Sequence, residues 1–290
     1  MNISPNLYII GAAKSGTTAL SNLLSASSDI FVPSVKEPHF HVWEQVIGKI
    51  PYVVNNISEY EKLYKDDKAS ICRYRVDASV LYLPHYKVFC KNVKAYNSNN
   101  VKIIIILRDP LERAISAYKH SLRFDPDERD SFDAAVLNDS ARRSGNPMLC
   151  YQWLSDYYEQ VKMIKENFDD VLIIRSSDLR STPEKTIKNI CQFLAIENFE
   201  INSLDQQESN SESFSWKNGF VGVLLNKLFP SRYRYVIREN FPRCYHIIKF
   251  VTLKMFSSKE KKNIEIGEEV RNIFLEKKRL IEDYLGYRIS

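Results

Sequence analysis

Leu7-Tyr-Ile-Ile-Gly11-Ala-Ala-Lys14-Ser15-Gly16-Thr17-Thr18 joins an apolar strand to a glycine-bounded loop with one lysine, which runs into hydroxyl residues opening a helix. This is a phosphate-binding pattern. Gly11 and Gly16 permit a tight turn and bring backbone N–H groups close to an anion, while the free amides and positive dipole end of the next helix attract negative charge. Thr17 and Thr18 add hydroxyl donors. The nucleoside-triphosphate loop G-x-x-x-x-G-K-[ST] shares the outer glycine spacing. Here position 17 is threonine and the lysine is Lys14, so the loop grips its anion differently.

Further along, Val101-Lys-Ile-Ile-Ile-Ile-Leu107 is short, β-branched and unalternating, which predicts a strand buried on both faces of a parallel sheet. It ends at Arg108, and Pro110 suits the first turn of a helix running to about Leu122. Arg108 therefore stands at the carboxyl end of a strand, where α/β folds bind ligands. The spacing predicts a helix within 151–168, a strand at Val171–Arg175, and a helix with Thr182 as N-cap and Pro183 at its first position. A last helix, from about Ile264 to Leu285, ends at Gly286. The expected fold class is α/β: a single P-loop-like domain over residues 1–290, with a central parallel sheet of about five strands flanked by helices. Residues 220–290 are expected to form a C-terminal helical cover, and 205–215 a polar loop.

The 290 residues, 44% of them apolar and 12% aromatic, suffice for a substantial core. A formal charge of +5, from 41 basic and 36 acidic residues, favours a local anion site over a nucleic-acid surface. The five cysteines are widely spaced and form no C-x-x-C pair, so neither a disulfide framework nor a zinc site is expected. The chain opens directly into its first strand without a leader pattern, and no apolar run is long enough to span a membrane; a cytoplasmic location is expected. Residues 220–256 mix apolar, aromatic and basic side chains, which suits helices packed over the sheet, with peripheral membrane contact as the alternative.

A second anion motif is Arg108-Asp-Pro-Leu-Glu-Arg113-Ala-Ile-Ser116, in which a strand-end guanidinium and a helix hydroxyl can converge on one phosphate. Together, Lys14-Ser-Gly-Thr-Thr18 and Arg108-Asp-Pro through Ser116 resemble the 5′-phosphosulfate loop and 3′-phosphate motif of sulfotransferases that use 3′-phosphoadenosine 5′-phosphosulfate. The resemblance extends over nearly the whole chain. Lys36-Glu-Pro-His-Phe40 is similar to the K-E-P-H-F segment of bacterial and heparan-type members, and Val76-Asp-Ala-Ser79 to their G-E-x-[ST]-P segment.

That resemblance implies roles. Lys14, Ser15, Gly16, Thr17 and Thr18 would hold the 5′-phosphosulfate, and Arg108 and Ser116 the 3′-phosphate. Glu37 aligns with the general base of heparan-type members; His39 would position acceptor or base, and His39 or His41 could replace Glu37 as base. Lys36, His41 and Asp77 fall on the acceptor side, with Asp77 either orienting Lys36 or the acceptor or capping a turn. Lys217, in Ser213-Phe-Ser-Trp-Lys217, is the candidate to close over the 3′-phosphate, and Arg113 reads as a structural salt-bridge partner. His85, His120 and His246 receive no role.

The chain also departs from the pattern. Ser176-Ser177-Asp178-Leu179 lacks the aromatic that can lie against adenine, Val80 replaces a proline, and no R-K-G-x-x-G loop is present. A sulfuryl group carries less charge than a phosphoryl group, so a lysine can stabilise its transfer and no metal is expected. The implied acceptor is a hydroxyl or amine on a carbohydrate, a glycolipid or a small natural product. The rival classes are an ATP-dependent small-molecule kinase, which should carry lysine at position 17 and magnesium-binding carboxylates, and a non-catalytic nucleotide-binding module.

Overall fold

Five strands, β1 (Leu7–Ile9), β2 (Ile30–Phe31), β3 (Tyr74–Ala78), β4 (Lys102–Leu107) and β5 (Val171–Arg175), form one parallel sheet in the order β2-β3-β1-β4-β5. The computed structural model describes residues 4–97, 100–125, 128–197, 199 and 264–289, with the backbone of 215–216 and 257–258. The main helices are α1 (Thr17–Leu24), α2 (Tyr86–Tyr96), α3 (Pro110–Phe124), α4 (Tyr157–Asn167), α5 (Ser176–Ser181), α6 (Pro183–Leu194) and α7 (Glu268–Leu285).

The unalternating strands follow from helices on both faces. Tyr8, Ile103, Ile105 and Leu107 point to one side, against Phe89 and Val93 of α2, Val161 and Ile164 of α4, and Ile281 of α7. Leu7, Ile9, Ile104 and Ile106 point to the other, against Leu20, Leu23 and Leu24 of α1 and Ile187, Ile190 and Leu194 of α6. Burying each such side chain contributes about 1.5–3 kcal/mol, so a polar residue on either face of β1 or β4 would be costly. From β1 the chain visits β2 and β3 on one side, then crosses to β4 and β5 on the other. That reversal puts the switch point of the sheet between β1 and β4, and parallel sheets bind ligands at the carboxyl ends of such strands.

Two boundaries differ from expectation. Within 151–168 a 3-10 turn (Trp153–Ser155) precedes α4, because Ser155 Oγ turns back to the carbonyls of Tyr151 and Pro110 and accepts a bond from Arg113. The last helix starts at Glu268 rather than near Ile264. The Gly267 N–H donates to Asp133 Oδ2 (2.7 Å), which ties the preceding residues to helix Phe132–Leu137 as non-helical chain. Gly286 ends α7 at φ +74, the left-handed cap expected of it. Within the expected C-terminal cover, α7 packs through Val270 and Phe274 on Ala114, Ala117 and Tyr118 of α3. The expectations for 205–214 and 220–256 lie outside the described residues, while Ser215–Trp216 pairs antiparallel with Ser257–Ser258.

Candidate active site

The loop after β1 is shaped by two left-handed residues. Lys14 has φ +65, and Gly16, at φ +107, is the N-cap of α1. Gly16 has no side chain with which to cap α1, which leaves the first amides of the helix open to an anion. A Cβ on Gly16 would lie 3.2 Å from Leu179 Cδ2, so glycine answers both the backbone angle and the close approach of α5. Ser15 and Thr17 are buried, and the Ser15 hydroxyl has no hydrogen-bond partner among the described residues. A glycine-bent loop that leads into the N-terminus of a helix can receive an anion.

At the end of β4, Arg108-Asp109-Pro110 divides three tasks. Asp109 Oδ1 accepts the N–H groups of Leu111 (3.0 Å) and Glu112 (3.1 Å), capping α3, and Pro110 supplies its first turn. Arg108, which takes no part in that cap, reaches across to the loop after β1. Its Nη1 reaches the Lys14 carbonyl at 3.5 Å, and its Nε lies 3.2 Å from Glu112 Oε2 on the exposed side. The two anion motifs, 94 residues apart, thus share one edge of the sheet. Ser116 stands further along α3, half-buried and outside that contact. Lys217 lies outside the described residues.

The segment from Lys36 to His39 forms the third wall. Lys36 Nζ donates to Thr18 Oγ1 on α1 and lies 3.1 Å from Glu37 Oε1; Glu37 Oε2 lies 3.5 Å from His39 Nε2. Burial pushes the Glu37 carboxyl up, but the His39 hydrogen bond and the positive charge of Lys36 outweigh it and bring the pKa down to about 2. Glu37 is therefore ionised at neutral pH. His39 is buried, and its Nδ1 has no hydrogen-bond partner among the described residues.

His41 and Asp77 are corrections. Both were expected on the acceptor side, yet they are 1% and 0% exposed and belong to a polar cluster behind it. Asp77 accepts from Tyr60 (2.6 Å), Tyr82 (2.7 Å) and Ser79 (2.7 Å), and His41 Nε2 lies 3.2 Å from the Tyr8 hydroxyl and 3.3 Å from that of Tyr60. Burial lowers His41 to about 3, so its ring is neutral. Tyr8, Tyr60 and Tyr82 wall in the His41 side chain among the described residues, away from the surface where an acceptor was expected. Arg113 is a further correction: it is fully buried but is bonded to Ser155 Oγ (2.6 Å) and the Tyr151 carbonyl (2.7 Å) rather than to a carboxylate.

A model of the family described as sulfotransferase domain matches residues 4–218. The chain belongs to that family. Among solved structures, a sulfotransferase from Alicyclobacillus acidocaldarius is similar at 25% identity and a TM-score of 0.61, covering 83% of this chain and 98% of its own. A mouse sulfotransferase complexed with PAP aligns at 20% identity and a TM-score of 0.45, over 71% of this chain and 62% of that one. No curated protein matches the chain. The sulfotransferase fold here, with its five-stranded parallel sheet, is the one expected from the sequence. Among its described residues, no helix is long and apolar enough to cross a membrane and no group of His, Cys, Asp and Glu is arranged to hold a metal ion.

Proposed function

We propose that this sulfotransferase domain moves a sulfuryl group from 3′-phosphoadenosine 5′-phosphosulfate to a hydroxyl or amine of a carbohydrate, glycolipid or small natural product. Its setting would be the cytoplasm, with the whole chain forming one domain. The observation that carries the reading is the contact between Arg108 Nη1 and the Lys14 carbonyl. It sets two cationic anion-binding elements side by side, as a nucleotide charged at both ends of its ribose requires.

When bound, the donor supplies an activated sulfuryl group. Lys14, Ser15, Gly16, Thr17 and Thr18 would hold its 5′ end, and Arg108 and Ser116 its 3′-phosphate, with Lys217 closing over the latter. Lys14 would neutralise the charge that develops on the leaving oxygen. Lys36 reaches α1 and Glu37 together, which supports a role for it where donor and acceptor ends would meet.

Glu37 would take the acceptor's proton at a carboxylate oxygen. A pKa near 2 makes it a weak base, but an attacking hydroxyl becomes strongly acidic only as its bond to sulfur forms, and a late transfer suits a weak base. His39 would orient that carboxylate.

Purified protein incubated with radiolabelled donor and a panel of sugars, glycolipids and amine or hydroxyl metabolites should label one class. Calorimetry should show binding of adenosine 3′,5′-bisphosphate. No binding of that nucleotide would remove the reading, and label passing from ATP instead would favour a kinase.

A further inference from the structure

Ser79 lies just beyond β3, fully buried, and its hydroxyl joins two groups. Its O–H donates to Asp77 Oδ1 at 2.7 Å, and its oxygen accepts the His39 N–H at 3.1 Å. A serine hydroxyl is a rotor with both donor and acceptor capacity, so something must decide which way it points. Asp77 does so: its Oδ1 accepts the serine proton, which turns that proton inward and leaves a lone pair for His39. The carboxylate is itself held. Tyr60 and Tyr82 donate to Oδ2 at 2.6 Å and 2.7 Å. Burial, the largest influence, raises the Asp77 pKa, and these hydroxyl donors offset it only in part.

The backbone that receives this bond needs holding. Glu37 and His39 have φ +58 and +53, left-handed angles that disfavour residues with a Cβ by about 1–2 kcal/mol each. Pro38, between them, accepts the Val54 N–H through its carbonyl, so the Ser79 bond is the link from this segment to the end of β3. From the anchored His39 backbone, the imidazole Nε2 stands 3.5 Å from Glu37 Oε2.

We propose that Asp77, acting through Ser79, is a positioning residue that fixes the His39–Glu37 pair in its reactive geometry. This rests on Glu37 being the base, as proposed above. The chain of contacts runs from the tyrosine-held carboxylate through Ser79 to the His39 backbone, and from its ring to Glu37; no member except Glu37 touches the acceptor.

The test is a set of Ser79 and Glu37 variants assayed by calorimetry with adenosine 3′,5′-bisphosphate, by circular dichroism melting, and by turnover. Turnover is read on the acceptor that takes label, with inorganic sulfate release as the acceptor-free readout. Because displacement by about 1 Å can cost around 100-fold in rate, Ser79→Ala should lose turnover on that scale while nucleotide affinity stays within about twofold. Ser79→Thr, which keeps the hydroxyl, should recover most of the loss. In a Glu37→Gln background Ser79→Ala should cost no more than about twofold further, because residues acting as a unit are not additive. Wild-type turnover in folded Ser79→Ala overturns the proposal, as does a double variant whose loss is the product of the two single losses. Should alanine prevent folding, Ser79→Cys keeps the volume with a poor acceptor, and wild-type turnover in that variant overturns it equally. Failure of the base assignment has a different signature, wild-type turnover in Glu37→Gln.

Discussion

A carboxylate held near pH 2 by a lysine on one side and a histidine on the other responds to either neighbour in a direction that can be worked out. Lys36→Met removes the positive charge that favours ionised Glu37, so its pKa should climb back toward the ordinary 4.5. The acid limb of kcat/KM should then move to higher pH, and a limb that stays put would show that Lys36 does not set the charge of the base. His41 behaves in the opposite setting, since its ring is buried neutral with a native pKa of about 3 against an ordinary 6.5. Above 6.5 native and unfolded chains bind the same number of protons there. Below it, only the unfolded chain takes one up, so stability contributed by neutral His41 is lost as pH falls from 6.5 through about 3. Melting temperature against pH should fall less steeply over that window in His41→Asn than in the wild type. The sequence showed Glu37 and Lys36 as neighbours but gave no sign that His41 was enclosed. Its wall comes from Tyr8, Tyr60 and Tyr82, scattered over three elements whose meeting only the fold determines.

Elements were legible where one local rule sufficed. The run Ile103–Leu107 declared a doubly covered strand, and Asp109-Pro110 declared a helix start, because burial and capping act within a few residues. Arg113 was harder, since the charge pattern of α3 suggested a salt bridge and the fold supplies a hydroxyl and a carbonyl from the turn before α4. Lysine carries the same charge but cannot span both acceptors with a planar fork. Arg113→Lys should therefore destabilise the fold by about 1–3 kcal/mol through an unmet buried partner, read as a lowered denaturation midpoint with an unchanged slope. Gly16 makes the matching case on the other element. Alanine there would adopt φ +107 and press its Cβ toward Leu179 at 3.2 Å, so the loop or the start of α1 must shift. Gly16→Ala should weaken adenosine 3′,5′-bisphosphate more than about tenfold, and calorimetry at wild-type affinity would show that the loop tolerates the change without altering its grip.

At the scale of the molecule, strand order converts two distant motifs into one site. β1 and β4 are neighbours, so the lysine loop and the arginine emerge side by side, while β3 on the far flank of β1 delivers Asp77 and Ser79 beneath the Lys36–His39 segment. The motifs were readable from sequence; this adjacency was not, because each strand pattern records burial and is silent on which strand lies beside it. The proposed function gives Lys14 and Arg108 different ends of one ligand, and two nucleotides can separate them. Adenosine 3′,5′-bisphosphate carries both phosphates, whereas adenosine 5′-phosphate lacks the 3′ group. Lys14→Ala should weaken both by about tenfold or more, equivalent to 1.4 kcal/mol, while Arg108→Ala should weaken only the bisphosphate. The arginine's partly exposed pair with Glu112 contributes little to stability, so the melting temperature of Arg108→Ala should hardly move and the affinity change can be read as lost contact. Equal losses for both nucleotides in Arg108→Ala would mean that the guanidinium supports the loop through the Lys14 carbonyl and does not hold a phosphate of its own.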